Sequence, residues 1–198
     1  MHPALSQFLA QFPTLSEEEQ ALIGQQLSVH NYRKGDILHT EGEVSTMCYF
    51  VLKGCIRQYC TVDNGDTSIE KTVEFFTEGQ AVVLFSSYGH QLPSKYSFMC
   101  AEDSTLIVGD MAQEHSMYEQ FPKLLAITRS MMEEYFGKIQ EEFARFITST
   151  PEERYQYVLH NRPDLFQRVP QHQIASYLGI TPESLSRIRR RMMNNVRV

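Results

Sequence analysis

Apolar residues recur at helical spacing near both ends of the chain and at strand spacing through its middle. Residues 3–28 read as helix: Leu22, Ile23 and Leu27 supply an apolar stripe, and Ser16 with Glu19 has the spacing of a capping box. From Tyr32 to about Asp110 the helical period disappears. Short runs of β-branched and aromatic residues, such as Cys48-Tyr49-Phe50-Val51-Leu52 and Thr105-Leu106-Ile107-Val108, alternate there with turn signals at Lys34-Gly35-Asp36, Glu41-Gly42-Glu43, Lys53-Gly54, Asp63-Asn64-Gly65-Asp66 and Glu78-Gly79. Strands this short and this closely spaced predict a sandwich or jelly roll, with Asn64-Gly65 as a two-residue hairpin turn.

Helical spacing returns between about Pro122 and Thr148, where Leu125, Met132, Tyr135, Ile139, Phe143 and Phe146 are mostly three or four residues apart. Such a helix spans about 40 Å at 1.5 Å per residue. Further apolar groups at Met131, Phe136 and Ile147 widen the stripe, which predicts burial on two sides, against the chain's own β domain and against a second copy. Met132, Tyr135, Ile139 and Phe143 are the expected dimer contacts. The competing reading is a helix buried wholly within one subunit. Ser149-Thr150-Pro151-Glu152-Glu153 then caps a further helix from Glu152 to His160 and marks a boundary.

The last thirty residues carry the clearest chemistry. Gln173-Ile174-Ala175-Ser176-Tyr177-Leu178 and Pro182 to Met192 read as two helices around a turn at Gly179-Ile180-Thr181. Thr181 suits an N-cap, Pro182 suits the first helical position, and Gly179 suits a positive φ. Leu185, Ile188 and Met192 fall on one face of the second helix and Glu183, Ser186, Arg187 and Arg190 on the opposite one. This is the pattern of a helix-turn-helix whose second helix enters a DNA groove. Glu183 suits a cytosine amino group, Arg187 suits guanine O6 and N7, and Ser186 serves as donor or acceptor. Arg189, Arg190 and Arg191 suit phosphates, with Gln171 and His172 as further contacts from the first helix. An ordinary surface helix with a solvated arginine run is the bland alternative, and the agreement of cap, turn and reading face argues against it.

Charge changes that picture only when the chain is divided. The total of −6 argues against nucleic-acid binding by itself, yet residues 151–198 hold eight Lys/Arg against four Asp/Glu, a net +4, and residues 1–150 hold ten against twenty, a net −10. An acidic body with a basic tail confines nonspecific attraction to the reading module. The sequence contains neither an apolar run of membrane-spanning length nor a signal-peptide pattern, so a cytoplasmic protein is expected. Cys48, Cys55, Cys60 and Cys100 form no C-x-x-C pair and the histidines are scattered, so reduced thiols and no metal or other cofactor are expected. No nucleophile elbow, P-loop, H-E-x-x-H or dinucleotide fingerprint is present, and an enzyme is not expected.

The order of glycine-punctuated strands, long helix and C-terminal helix-turn-helix resembles the Crp/Fnr family of bacterial transcription regulators across nearly the whole chain. Two segments carry the resemblance. Lys34 to Glu43, continuing to Tyr49-Phe50-Val51-Leu52-Lys53-Gly54-Cys55-Ile56-Arg57, looks like the opening of a cyclic-nucleotide-binding-type roll, and Glu183-Ser184-Leu185-Ser186-Arg187 matches the E-x-x-S-R reading pattern of the Fnr branch. The resemblance implies an α+β fold with an N-terminal β-roll and flanking helices (residues 1–120), a dimerisation helix (121–148) and a small helix-turn-helix domain (149–198). It further implies a homodimer that binds a palindromic promoter site on double-stranded DNA and contacts RNA polymerase.

Departures from the family pattern bear on the effector. Cyclic-AMP-binding members carry a Glu that holds the ribose and, about ten residues on, an Arg that holds the phosphate. In this sequence Gly79-Gln80-Ala81-Val82-Val83-Leu84-Phe85 places Leu84 at the Glu position, and Pro93-Ser94-Lys95-Tyr96 has no Arg. Losing the charge-assisted clamp removes about 1.5–3 kcal/mol, so cyclic AMP is not the expected effector. Gly79, Leu84, Phe85, Ser94, Lys95 and Tyr96 mark the corresponding pocket, where Lys95 or His90 is available for another anion or is simply solvated. Residues 1–47 lack the cysteines that hold an iron–sulfur cluster in the Fnr branch. Only Asn194-Asn195-Val196-Arg197-Val198 follow Met193, so a wing is expected to be short or absent. The rival function is a small-molecule-binding signalling module whose C-terminal helices make protein contacts.

Overall fold

A computed structural model describes residues 1–195 apart from Asn64 and Asp66. The expected N-terminal helix is two helices, α1 (Pro3–Leu9) and α2 (Glu17–Gln26). Pro13 lies in the break, where it removes a backbone donor, and the chain re-enters helix at Ser16, whose capping box with Glu19 is formed in both directions.

Strand structure begins earlier than Tyr32. The strands are β1 (Ser28–Tyr32), β2 (Ile37–His39), β3 (Met47–Lys53), β4 (Ile56–Asp63), β5 (Ser68–Phe76), β6 (Ala81–Val82), β7 (Ser97–Cys100) and β8 (Ser104–Asp110), with a short helix α3 (Phe85–His90) between β6 and β7. They form two four-stranded antiparallel sheets in the orders β1-β8-β3-β6 and β2-β7-β4-β5. Pairing of β4 with β5 runs from Ile56↔Phe76 to Asp63↔Ser68. Asn64, half of the expected turn, lies outside the described residues.

Alternation along the strands sends Tyr49, Val51, Ile56, Phe76, Val82, Phe98, Cys100, Leu106 and Val108 into one buried cluster between the sheets. The β3–β4 corner depends on a glycine. Gly54 has φ +112°, and a Cβ there would lie 2.7 Å from the Ser104 Cα, so no larger residue fits without displacing backbone.

Past the roll, α4 (Met111–Gln120) begins at Asp110, whose carboxylate accepts from the Gln113 amide at 2.8 Å; the apolar spacing does not announce this helix. The long helix α5 runs from Pro122 to Thr148 as its spacing predicts. α6 (Pro151–Asn161) is capped by Thr150 in a box with Glu153, one residue earlier than expected. α7 (Leu165–Arg168), α8 (Gln171–Tyr177) and α9 (Pro182–Asn195) complete the chain. The segment expected to hold a short wing reaches positions 196–198, outside the described residues.

Candidate nucleic-acid interface and effector region

The helix-turn-helix is specified by local chemistry. Gly179 ends α8 at φ +70°, the Ile180 amide returns to the Ala175 carbonyl at 3.0 Å, and the Thr181 hydroxyl accepts from the Ser184 amide at 3.2 Å. Leu185 and Ile188 are buried with Ile174, Ala175 and Leu178, and Met192 packs at the margin of the same cluster. Holding those side chains down turns the opposite face of α9 outward. Glu183, Ser186, Arg187 and Arg190 are exposed there, as are Thr181 and Gln171, while Arg189 is half-buried. Hydrogen bonds from its own backbone amide and from Thr181 hold the Glu183 carboxyl below the usual range, so it is an acceptor at neutral pH. Arg187 donates to the Ser184 hydroxyl at 3.0 Å, and Arg191 pairs with Glu152 of α6 at 2.7 Å. Of the arginine run, Arg190 thus projects from the exposed face of α9 while Arg191 is engaged within its own module.

This module is docked on its own roll through contacts that sequence reading missed. The Ser176 hydroxyl of α8 accepts from the Thr72 amide of β5 at 2.9 Å, and Phe75 of β5 meets Tyr177 edge-on with ring centroids 5.5 Å apart. Arg162, its side chain 10% exposed, donates to the Glu74 carboxylate at 2.9 Å and to the Phe75 carbonyl. Arg168 forks onto Glu78 at 2.8 and 2.9 Å and also reaches Glu102 and Asp164. Burial alone would raise the Glu78 carboxyl, but the Arg168 fork and the Gly54 amide outweigh it and the pKa is lowered.

Helix α5 has two faces and no fully buried residue. Tyr135 lies over Phe76 of the roll at 6.4 Å between centroids, and Leu124 and Ile127 pack on the N-terminal cluster. The other face leaves Leu125, Phe136, Ile139, Phe143 and Ile147 exposed, Phe136 and Phe143 by 63% and 66%. Of the four expected dimer contacts, Ile139 and Phe143 are on this open face and Met132 is half-buried beside it. Tyr135 is on the opposite one, against its own roll.

Residues 29–120 match the family model of the cyclic nucleotide-binding domain. Similar solved structures extend the likeness over most of the chain. A CooA mutant from Carboxydothermus hydrogenoformans is 16% identical with TM-score 0.69, covering 90% of this chain and 81% of that one. The c-di-GMP-responsive global regulator CLP of Xanthomonas campestris is 13% identical with TM-score 0.69, over 88% and 92%. The Thermus thermophilus catabolite activator protein is 18% identical with TM-score 0.54, over 93% and 86%. The fold is that of the Crp/Fnr regulators. No curated protein sequence matches the chain.

Within this Crp/Fnr fold the six expected effector residues are dispersed. Leu84 is buried at the start of α3 against the roll core, and Tyr96 packs on the same core. Ser94 is buried, its hydroxyl donating to the Tyr96 carbonyl at 2.7 Å and accepting from the Tyr96 amide at 2.9 Å, whereas Lys95 is exposed. Gly79 and Phe85 instead line a groove of about 950 Å³ between α5 and the β1-β8-β3-β6 sheet. Among the described residues there is no group of three metal-ligating side chains and no helix long and apolar enough to cross a membrane. All four cysteines are free thiols, Cys55 and Cys100 buried and Cys48 and Cys60 half-buried.

Proposed function

We propose that the chain is a sequence-specific DNA-binding transcription regulator that acts as a homodimer, with residues 1–120 as sensor roll, 121–148 as dimerisation helix and 149–198 as reading domain. One observation carries this reading: α9 buries Leu185 and Ile188 and turns Glu183, Ser186, Arg187 and Arg190 to solvent, which is the division of faces a major-groove helix requires. The open apolar face of α5 supports the dimer, because the described residues leave Phe136 and Phe143 mostly exposed. Two-fold pairing of the reading helices calls for a palindromic site, and RNA polymerase is the expected protein partner on the promoter. Binding of an effector would act by shifting the balance between two arrangements of the pair.

Selection of bound fragments from a random DNA pool tests the reading directly. On the selected site, Arg187→Ala is expected to cost about 1–3 kcal/mol and to relax preference at one base pair. Arg190→Ala is expected to weaken all sequences alike and to flatten the salt dependence, since a phosphate contact releases counterions without reading bases. Absence of any salt-sensitive DNA affinity would overturn the proposal and favour protein contacts at the C-terminal helices.

Cyclic AMP is not the effector in this reading. Leu84 has no acceptor for a ribose hydroxyl, and the Ser94 hydroxyl is committed to the Tyr96 backbone. Isothermal titration in moderate salt is expected to show no micromolar binding, and the nucleotide is expected to leave DNA affinity unchanged. Tight binding accompanied by a shift in DNA affinity would refute this.

A further inference from the structure

The groove beside α5 has apolar walls from Phe8 of α1, Phe50 of β3, Ile107 of β8 and Leu124, Ile127 and Met131 of α5. Those three α5 residues lie on the face turned to the roll, and Met132 lines the margin where the groove meets the open face. Its volume, about 950 Å³, falls within the range of small-molecule sites, on the order of 300–1,000 Å³.

One polar cluster interrupts these walls. The Glu114 carboxylate of α4 accepts from the Tyr88 hydroxyl of α3 at 3.1 Å and from the Tyr118 hydroxyl at 2.8 Å. Burial, reinforced by neighbouring Glu114, holds both phenols above their usual range, so both remain protonated donors. The Cys48 thiol, raised by burial, donates to the Gly109 carbonyl at 3.3 Å, and the Gln113 amide donates to the Gln26 carbonyl at 2.9 Å. The two phenols and the Cys48 thiol are therefore spent within the protein, and the Gln113 side-chain amide has one of its two N–H groups engaged. What Glu114 still offers is acceptor capacity, since a carboxylate has about four lone-pair sites and the phenols use two.

Charge points the same way. Six acids, Glu78, Glu114, Glu133, Glu134, Glu141 and Asp164, line the groove against two basic side chains, Lys138 and Arg162. Arg162 is paired with Glu74, Glu78 and Asp164 with Arg168, and Glu133 with Arg129, so among the described residues Glu114, Glu134 and Glu141 are the acids that carry the local negative charge. We propose that this groove is a ligand site for a small cationic amphiphile, an apolar body with a protonated amine that donates to Glu114. Gly79 and Phe85 of the expected effector region line this groove, whereas Leu84, Ser94 and Tyr96 do not. It selects against anions, so cyclic nucleotides and fatty acids are poor ligands. The proposal is independent of whether α9 reads DNA.

The test uses the full chain and N-phenyl-1-naphthylamine, an uncharged fluorophore that brightens in apolar surroundings. Saturable binding is expected, displaced by decylamine at concentrations about tenfold or more below those needed with decanoate, because only the amine forms a charge-assisted bond with the carboxylate. Glu114→Gln is expected to keep fluorophore binding and to abolish the advantage of the amine. Met131→Trp, which narrows the groove between α5 and the roll, is expected to weaken both. Equal displacement by decanoate, or an amine preference that survives Glu114→Gln, overturns the assignment of the head group. Fluorophore binding that is not saturable, or that persists unchanged in a folded Met131→Trp protein, overturns the site itself. Should Met131→Trp fail to fold, the Glu114→Gln displacement series decides alone.

Discussion

Replacing Arg162 by methionine is expected to remove about 3–5 kcal/mol of stability, the range for breaking a buried ion pair by deleting one partner. Methionine keeps the aliphatic stem in place, so lost packing contributes little. The cost arises from what is left behind: the Glu74 carboxylate, 17% exposed, loses its counter-charge, and the Phe75 carbonyl loses a charged donor. Urea denaturation of the purified protein measures it. Adding Glu74→Gln to the same chain is expected to recover part of the loss, since the stranded charge is then gone. A single-variant loss under about 1 kcal/mol would show that Arg162 and Glu74 are better solvated than their burial implies.

Substituting glutamate at both Ile139 and Phe143 is expected to turn a dimer into a monomer with an intact fold. The two side chains are 38% and 66% exposed within their own chain, so the substitution disturbs little of the subunit core. Across a two-fold seam it places like charges face to face in an apolar surround, which costs both desolvation and repulsion. Sedimentation velocity reports the assembly state, and circular dichroism and the thermal midpoint report the fold. A folded dimer would place the seam elsewhere, and an unfolded chain would mean that α5 is buried within one subunit after all.

The parts of this molecule that were legible in the sequence are those set by neighbours a few residues apart. Helix α5 follows from its three-and-four spacing, and the turn at Gly179 with the Thr181 cap follows from side chains acting on their own backbone. The roll was legible as a class, because strand length and glycine spacing are local, although the break at Pro13 and helix α4 were not. Contacts between distant segments left no trace in the pattern. Arg162 and Glu74 are 88 residues apart, and Tyr88 and Glu114 are 26 apart. The face of α5 that takes the roll was ambiguous for a related reason: Tyr135 and Phe136 are adjacent and both aromatic, and only the position of Phe76 decides which of them turns inward. Leu84 was informative in the sequence by its chemistry alone, as an apolar side chain where a ribose acceptor would be needed.

The docking of α8 on β5 has a consequence for solubility. β5 is the last strand of its sheet, and beyond it stands the C-terminal helical domain, whose Ser176 takes the Thr72 amide. An uncovered strand edge, with its row of unpaired amides and carbonyls, is a template for edge-to-edge aggregation. The C-terminal helical domain therefore acts as a protective cover. Any large swing of that domain away from the roll would bare the β5 edge together with Phe75. How far the C-terminal helices can travel is thus bounded by how much sticky edge the rest of the protein can leave open to water.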